Sequence, residues 1–180
     1  MWQNSAAAPV TTRKCSSRKA NRVIATDLSP GMLDTAKQCI SAANVKFQTE
    51  DCQKTSLPAA TLDTAFISLV LHFTEPKRTL PEMRRILKPG GILIIANLDF
   101  HALDGLDRAR ATVRILYRGA TGYRLKPPKR FITKMLTETE LCDLLNRSGF
   151  KVLSSETIKD QSRSSNIPME YIKAIKPERL

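Results

Sequence analysis

The stretch that decides the fold reads Arg22-Val23-Ile24-Ala25-Thr26-Asp27-Leu28-Ser29-Pro30-Gly31-Met32-Leu33. Its apolar start predicts a short buried strand, Val23 to Thr26, which ends on a carboxylate and turns at once into a helix. Ser29 is a good N-cap residue, and Pro30 suits the first helical position because no N–H is needed there. A carboxylate at the carboxyl end of a parallel strand lies where open α/β sheets bind ligands, and it can accept hydrogen bonds from a ribose diol. Asp27 is therefore the first candidate site residue, although an Asp before Ser-Pro also commonly caps its own turn.

The rest of the chain repeats this alternation of strands and helices. Apolar residues at helical spacing predict a helix over Pro30–Ala43, and alternating residues predict a strand over Val45–Thr49. The apolar run Thr64–Leu71 has the composition of a central parallel strand. The later predictions are a helix over Glu75–Leu87 stopped by Lys88-Pro89-Gly90-Gly91, a strand over Ile92–Leu98, a helix opened by a Thr137/Glu140 capping box and ending near Ser148-Gly149, and strands over Phe150–Ile158 and Met169–Ile175. This order predicts an α/β fold, with helices on both faces of a mostly parallel sheet and an antiparallel hairpin formed by the last two strands.

Length and composition predict one soluble domain. The chain has 180 residues, and no apolar run in it approaches the roughly 20 residues of a membrane-spanning helix. Its four cysteines are widely spread and form no C-x-x-C pair, which argues against a structural zinc site and against a disulfide framework. This cysteine pattern favours a reducing compartment, and we expect a cytoplasmic protein. The cysteines are Cys15, Cys39, Cys52 and Cys142.

Positive charge, which totals a net +12, is concentrated in two blocks. Five basic residues and no acidic one precede Asp27, and four of the five lie within residues 1–20. This segment is predicted to be disordered or atypical. The composition of the segment resembles a transit peptide, but the segment lacks an amphipathic face. Residues 21–180 form the predicted domain, in which residues 99–134 are a basic lid insertion, helical from Leu103 to Arg118. Nine basic residues and no acidic one lie between Arg108 and Lys134. Such blocks attract nucleic acid, an acidic small substrate or counter-ions, and a solvated basic face is the more frequent explanation.

Four motifs, in their order and spacing, resemble the class I S-adenosylmethionine-dependent methyltransferases, in particular the type 11 group. They are Val-Ile-Ala-Thr-Asp-Leu-Ser-Pro-Gly-Met-Leu from Val23, Glu50-Asp51-Cys52 with Leu57-Pro58 downstream, Leu69-Val70-Leu71-His72-Phe73, and Arg85-Ile86-Leu87-Lys88-Pro89-Gly90-Gly91. The resemblance covers the chain from Arg22 to about Lys176. It implies a three-layer Rossmann-like methyltransferase sheet and S-adenosylmethionine as the cofactor.

The resemblance also implies roles for residues at two strand ends. Asp27 would accept hydrogen bonds from the ribose hydroxyls, with Leu28 and Met32 against the adenine. Asp51 would accept from the adenine amino group, while the backbone N–H of Cys52 donates to the ring. A second interpretation of Asp51 is a loop acid that caps the turn before Gln53.

Two residues that come at or after the end of the predicted Thr64–Leu71 strand, Leu69 and His72, are also candidates for the site. By the resemblance, Leu69 lines the methionine end of the cofactor. His72 is a candidate general base that deprotonates a hydroxyl or amine of the substrate, or else a helix-entry residue half buried beneath the lid. Asp63, at the start of the strand, is expected to cap its turn. The enzyme's main task is to align a nucleophile with the electrophilic methyl group.

The chain departs from the family at its start. In the family, a first strand and a glycine-rich turn precede the second strand by about twenty residues, whereas the first glycine here is Gly31. The turn wraps the methionine moiety, and such close backbone approach requires residues without a side chain. The first strand is therefore expected to be missing from its place between the Val23 and Thr64 strands. Three explanations remain: a fragmentary or misread start to a normal methyltransferase, N-terminal residues such as Ala8–Thr12 that fill the gap badly, or a non-catalytic relative retained for binding.

The leading functional interpretation is an enzyme that transfers a methyl group from S-adenosylmethionine to a small-molecule acceptor, and the basic insertion favours an anionic acceptor. The alternative is an inactive methyltransferase-like module that binds nucleic acid or an acidic partner through the same insertion, with strong salt dependence. Its few aromatic residues, Tyr117, Tyr123 and Phe131, do not indicate base readout. A nicotinamide dehydrogenase would also place an acid on the ribose, but it needs fingerprint glycines that are equally absent. The acceptor and the oligomeric state cannot be read from the sequence.

Overall fold

The computed structural model describes residues 21–99, 136–158 and 168–178, together with Leu103, Gly105 and Leu106. Its elements are β1 (Val23–Asp27), α1 (Pro30–Cys39), β2 (Val45–Thr49), β3 (Leu62–Ser68), a 3-10 turn (Leu71–Phe73), α2 (Pro76–Ile86), β4 (Leu87–Leu98), α3 (Glu138–Arg147), β5 (Lys151–Ile158) and β6 (Met169–Ile175). The predicted N-terminal segment 1–20 lies outside the described residues. So does the predicted lid insertion 99–134 with its helix, apart from Asp99 and the three residues named above.

The described strands form two groups. β1 and β2 pair in parallel, with Val23 opposite Val45 and Asp27 opposite Thr49. The other four strands have the order β3-β4-β6-β5, in which β3 and β4 are parallel and β6 is antiparallel to both β4 and β5. The predicted α/β sheet with an antiparallel C-terminal hairpin is therefore confirmed. No described strand pairs with both β1 and β3, the position at which the sequence predicts the missing first strand.

The main hydrophobic core lies between the four-stranded group and helices α2 and α3. Its fully buried side chains include Leu80, Met83 and Ile86 from α2, Leu141 and Leu145 from α3, and Ile67, Leu93, Ile95 and Ile172 from the strands. Each buried aliphatic side chain of this size contributes about 1.5–3 kcal/mol relative to exposure. A smaller cluster of Phe66, Ala96 and Met169 packs on the opposite face of the same strands. Within the described residues, no helix combines the length and apolarity needed to cross a membrane.

The predicted bounds of two elements, α1 and β3, are wrong, and backbone geometry explains where each element ends. α1 ends at Cys39 rather than Ala43, because Ile40 is extended (φ −126°, ψ 104°) and buries its side chain. β3 starts at Leu62 and ends at Ser68 rather than running from Thr64 to Leu71, because Leu69 adopts a left-handed conformation with φ +56°.

The Lys88-Pro89-Gly90-Gly91 motif is not a reversal after α2 but the beginning of β4. The Gly90 N–H donates to the Lys176 carbonyl, and the Lys176 N–H donates to the Gly91 carbonyl, both at 2.9 Å. Gly90 has φ +73°, and a Cβ on Gly91 would lie 2.8 Å from the Lys88 carbonyl oxygen, so the two glycines permit this geometry. Pairing with the end of β6 thus extends the strand across what the sequence predicts as a turn.

The predicted capping box at the start of α3 is confirmed. The Glu140 N–H donates to the Thr137 hydroxyl at 3.3 Å, and the Thr137 N–H donates to a Glu140 carboxylate oxygen at 3.0 Å. The helix ends at Arg147, as predicted, and Gly149 follows it with φ +79°.

Replacing Thr137 with alanine should lower the free energy of unfolding by about 1 kcal/mol, because the Glu140 N–H loses its capping acceptor. The Thr137→Ser variant keeps the hydroxyl and should remain close to wild type. Urea unfolding followed by circular dichroism measures both variants. Equal stability of the alanine and serine variants would contradict the capping contribution.

Candidate functional site

The carboxyl ends of β1 and β2 are each followed by an aspartate turn. Asp27 Oδ1 accepts from the Ser29 N–H, and Asp51 Oδ1 accepts from the Gln53 N–H, both at 2.9 Å. Each bond spans two residues, the geometry of an Asx turn. The turn-capping interpretation is therefore correct for one oxygen of each aspartate. The Oδ2 atom of each makes no hydrogen bond to a described residue, which leaves it available to a ligand.

Ser29 occupies the N-cap position of α1, and Pro30 occupies the first turn, as predicted, but the Ser29 side chain makes no capping hydrogen bond. The Met32 N–H, in the first turn, donates to the backbone carbonyl of Ser29 at 3.2 Å. The Asp27 carboxylate, rather than the Ser29 hydroxyl, therefore organises the entry into the helix.

The two aspartates lie at one edge of the sheet. The Glu50 N–H donates to the Asp27 carbonyl at 3.2 Å, and Asp51 is the next residue. The pKa of the Cys52 thiol is raised to about 11, mainly by burial and in smaller part by the negative charges of Asp51 and Asp27. The thiol is therefore neutral at pH 7 and packs against the main core, so that the backbone N–H of Cys52 is the part of this residue relevant to the predicted role.

Large apolar side chains stand exposed beside Asp27. Leu28 is 67% exposed and Met32 is 47% exposed, whereas Leu33 and Ala36 on the other side of α1 are buried. Ligand sites in proteins are lined mainly by such apolar side chains around a few polar groups. The surface beside Asp27 is thus suited to a flat aromatic ring.

Leu69, the residue directly after β3, has a strained backbone conformation. Its φ of +56° is uncommon for a residue with a side chain and costs on the order of 1 kcal/mol or more. The Leu69 N–H donates to the Ala96 carbonyl at 2.8 Å, and its side chain packs against the smaller cluster that contains Phe66. Strain of this kind concentrates at ligand sites.

His72 lies in the 3-10 turn, four residues before the start of α2. Its ring centroid is 4.0 Å from that of Phe73, with the planes inclined by 46°. Burial lowers the pKa of His72 below its usual range, so the imidazole is neutral at pH 7 and able to accept a proton. Both the general-base and the helix-entry interpretations remain predictions.

Asp63 does not cap a turn, contrary to the prediction, because it lies within β3. Its carboxylate forms an ion pair with Lys88 at 2.9 Å. Both side chains are partly exposed, so this pair contributes little to stability.

A hydrogen-bonded clamp formed by Glu82, Arg85 and Thr55, close to Asp51 and Cys52 in the chain, was not predicted from the sequence; the Glu82 side chain is 11% exposed and that of Arg85 is 40% exposed. One carboxylate oxygen of Glu82 accepts from the Thr55 N–H at 2.7 Å, from the Thr55 hydroxyl at 2.8 Å and from the Arg85 guanidinium at 2.7 Å. Arg85 also donates to the Leu57 carbonyl at 2.7 Å. The clamp holds the loop after Cys52 onto α2, and the presence of Arg85 in a quoted motif was the only sequence signal for it.

The aspartate turns follow two parallel strands, beside an exposed apolar surface, at the edge where open α/β sheets bind their ligands. The sequence model of a methyltransferase-domain family, type 11, matches residues 7–95. This match identifies residues 7–95 as a domain of the type 11 methyltransferase family, a group of class I S-adenosylmethionine-dependent methyltransferases.

Similar proteins of known name support this identification. A malonyl-[acyl-carrier protein] O-methyltransferase of Serratia marcescens is 35% identical over 92 residues, which are 51% of this chain and 35% of that protein. A hybrid PKS-NRPS synthetase of Xenoacremonium sinensis is 34% identical over 133 residues, which are 69% of this chain and 3% of that protein. The chain thus spans about a third or less of the length of these relatives. A SAM-dependent methyltransferase structure from Methanosarcina mazei has a TM-score of 0.74 at 19% identity and covers 98% of this chain and 92% of that chain, which shows the shared fold.

The family uses S-adenosylmethionine, and the described residues fit the adenosine half of this cofactor. Asp27 and Asp51 each offer an oxygen without a described partner, as an acceptor for hydroxyl and amino groups. Leu28 and Met32 offer apolar surface to the base. For the methionine half, the described residues contribute Leu69 alone among those predicted. The three described cysteines, Cys39, Cys52 and Cys142, are free thiols, and the described residues gather no cluster of three metal-ligating side chains.

Proposed function

We propose that this chain transfers a methyl group from S-adenosylmethionine to a small-molecule acceptor. The observation that carries the proposal is the β1–β2 edge, where Asp27 and Asp51 come together and each keeps one carboxylate oxygen without a described partner. The exposed Leu28 and Met32 beside them complete a surface for adenosine. Membership of the methyltransferase family supports the reaction type.

Each predicted residue has a defined part in this proposal. Asp27 accepts hydrogen bonds from the ribose hydroxyls. Asp51 accepts a hydrogen bond from the adenine amino group, and the Cys52 N–H donates one to the adenine ring. Leu69 bounds the methionine end. When bound, the cofactor supplies an electrophilic methyl group on a sulfonium. The neutral imidazole of His72 takes the proton that the acceptor loses, if the acceptor reacts through a hydroxyl or amine.

The acceptor is proposed to be small and to carry negative charge. The net charge of +12 and the basic block from Arg108 to Lys134, within the proposed lid insertion 99–134, favour an anionic group. The name of the Serratia marcescens relative specifies malonyl-[acyl-carrier protein], and the malonyl part agrees with a negatively charged acceptor. The cysteine pattern supports a cytoplasmic location for the reaction.

Isothermal titration of the purified chain with S-adenosylhomocysteine tests the proposal. We expect micromolar binding, because the adenosine contacts are supplied by described residues. The dinucleotide NADH serves as the control ligand and should not bind. A chain that unfolds cooperatively by circular dichroism yet binds no S-adenosylhomocysteine would refute the enzyme proposal.

The competing proposal is an inactive module that binds nucleic acid or an acidic partner, and the net charge of +12 is the observation that favours it. Fluorescence anisotropy with a labelled oligonucleotide separates the two. Binding that falls steeply between about 50 and about 200 mM salt, in a chain that does not bind S-adenosylhomocysteine, would favour the module.

A further inference from the structure

A second group of polar atoms lies at the carboxyl end of β4 and the start of β6, away from the β1–β2 edge. Glu170 is only 4% exposed, and its Oε1 atom has no hydrogen-bond partner among the described residues. Asn97 Oδ1 is buried and lacks a described donor as well. Burying a carboxyl group without a donor is costly, so these two acceptors call for a donor from elsewhere.

Strand register places the two groups side by side. Asn97 of β4 and Thr157 of β5 are both directly opposite Glu170 of β6. Directly opposite residues of antiparallel strands point to the same face of the sheet. Two residues further along, Ile95 and Ile172 on this face lie in the main core beneath α3. Glu170 and Asn97 therefore face α3 together, at the rim of the core.

The groups around Glu170 are acidic. The pKa of Glu170 is raised to about 7, mainly by burial and in smaller part by the negative charges of Asp99 and Glu138. The polar and acidic groups near Glu170 are Asn97 of β4, Asp99 directly after β4, Thr157 of β5, and Glu138 and Cys142 of α3. No cation in the described part of the chain influences its titration. The group of residues around Glu170 is also close to solvent, since Thr157 and Glu138 are exposed.

These features select the chemistry of a ligand. A carboxylate and an amide oxygen side by side can accept two of the three N–H bonds of a primary ammonium group, and the surrounding negative charges attract a cation. The described Asp, Glu, His and Cys side chains include no group of three close enough to hold a metal ion, and the subsite is therefore assigned to an organic cation.

We propose that Glu170 and Asn97 form a binding subsite for a primary ammonium group. The Leu69 N–H donates to the Ala96 carbonyl at 2.8 Å, so Asn97 is the next residue after one bonded to Leu69, although the two side chains lie on opposite faces of the sheet. The assignment of the ammonium group to the methyl acceptor rests on the proposed function, whereas the binding of an ammonium group does not. An acceptor with an amine at one end and an anionic group at the other would match both the acidic surroundings of Glu170 and the basic block from Arg108 to Lys134.

Thermal unfolding of the cofactor-free chain tests the subsite with n-butylammonium chloride as the probe. Tetramethylammonium chloride at equal concentration has the same charge but no N–H donor. We expect n-butylammonium to raise the Tm, increasingly so as the pH rises from about 6 to about 8, because the Glu170 carboxyl must be ionised to bind it. Tetramethylammonium should leave the Tm unchanged.

Two variants make the test specific to Glu170. The Glu170→Gln variant should weaken n-butylammonium binding by at least about tenfold, since a charge-assisted hydrogen bond is replaced by a neutral one. Glu156→Gln, an exposed change on β5, should retain the full response. In a ¹³C NMR titration of the carboxyl groups, the probe should lower the pKa of Glu170.

An equal response to the two cations, or a Glu170→Gln variant that responds like wild type, would overturn the subsite. An Asn97 amide that donates to Glu170 would produce this negative result, because the carboxyl group would already have its donor. The titration with S-adenosylhomocysteine is a separate experiment, so failure of cofactor binding and failure of the ammonium subsite are distinguishable.

Discussion

Replacing Asp27 with alanine is expected to weaken the binding of S-adenosylhomocysteine by about ten- to several-hundred-fold. The substitution removes the oxygen proposed to accept from the ribose, and hydrogen bonds to charged groups contribute about 1.5–3 kcal/mol each. It also removes the acceptor of the Ser29 N–H, so the turn that positions Leu28 and Met32 loses its anchor. Isothermal titration measures the affinity, and circular dichroism verifies that the variant is folded.

Two further variants separate these contributions. Asp27→Asn keeps an oxygen for the Ser29 N–H but turns the second position into a donor, so its affinity should lie between those of wild type and the alanine variant. Asp34→Ala removes an exposed aspartate on α1 that pairs only with Lys37 at 2.9 Å, and it should bind like wild type. If Asp27→Ala and Asp34→Ala bound equally well, the ribose role of Asp27 would be wrong.

Replacing Glu82 with alanine is expected to lower the free energy of unfolding by about 1–3 kcal/mol. The Glu82 carboxylate accepts hydrogen bonds from both the N–H and the hydroxyl of Thr55. Since Thr55 is buried, the alanine variant leaves these two donors without that acceptor and away from water. Arg85 loses its partner at the same time. Urea unfolding measures the change, and Lys77→Ala, an exposed substitution on the same helix, is the matched control that should have little effect.

This effect should depend on pH with a defined sign. The hydrogen bond from Arg85 is the main cause that lowers the pKa of Glu82 below its ordinary 4.5. A group whose pKa falls on folding stabilises the protein above its unfolded pKa, and this stability is lost as the pH falls through the folded pKa. The difference between wild type and Glu82→Ala should therefore be full at pH 7 and shrink below about pH 4.5. A difference that stays constant with pH would contradict a role for the ionised carboxylate.

The clamp also bears on function. Because Glu82 and Arg85 hold the loop that follows Asp51 and Cys52, their loss should loosen the adenine side of the proposed site. We expect Glu82→Ala to weaken binding of S-adenosylhomocysteine as well, whereas Lys77→Ala should not.

The sequence alone determined the order of strands and helices, the antiparallel C-terminal hairpin and the position of two aspartates at the carboxyl ends of parallel strands. These features depend on patterns within a few residues: the period of apolar side chains, a capping box at Thr137, and a carboxylate directly after an apolar run. Local interactions of this kind act in any tertiary context, which is why the family resemblance could be recognised before the structure.

Only the tertiary structure decided how distant groups meet. Three sets of hydrogen bonds join segments far apart in the chain: Leu69 with Ala96, Gly90 with Lys176, and Glu82 and Arg85 with the loop at Thr55–Leu57. Glu170 stands in a strand whose pattern does not reveal that it is buried. Its burial arises because β4 and β5 flank it on both sides and α3 covers its face. Desolvation depends on all of these neighbours together, so no single stretch of sequence could predict it.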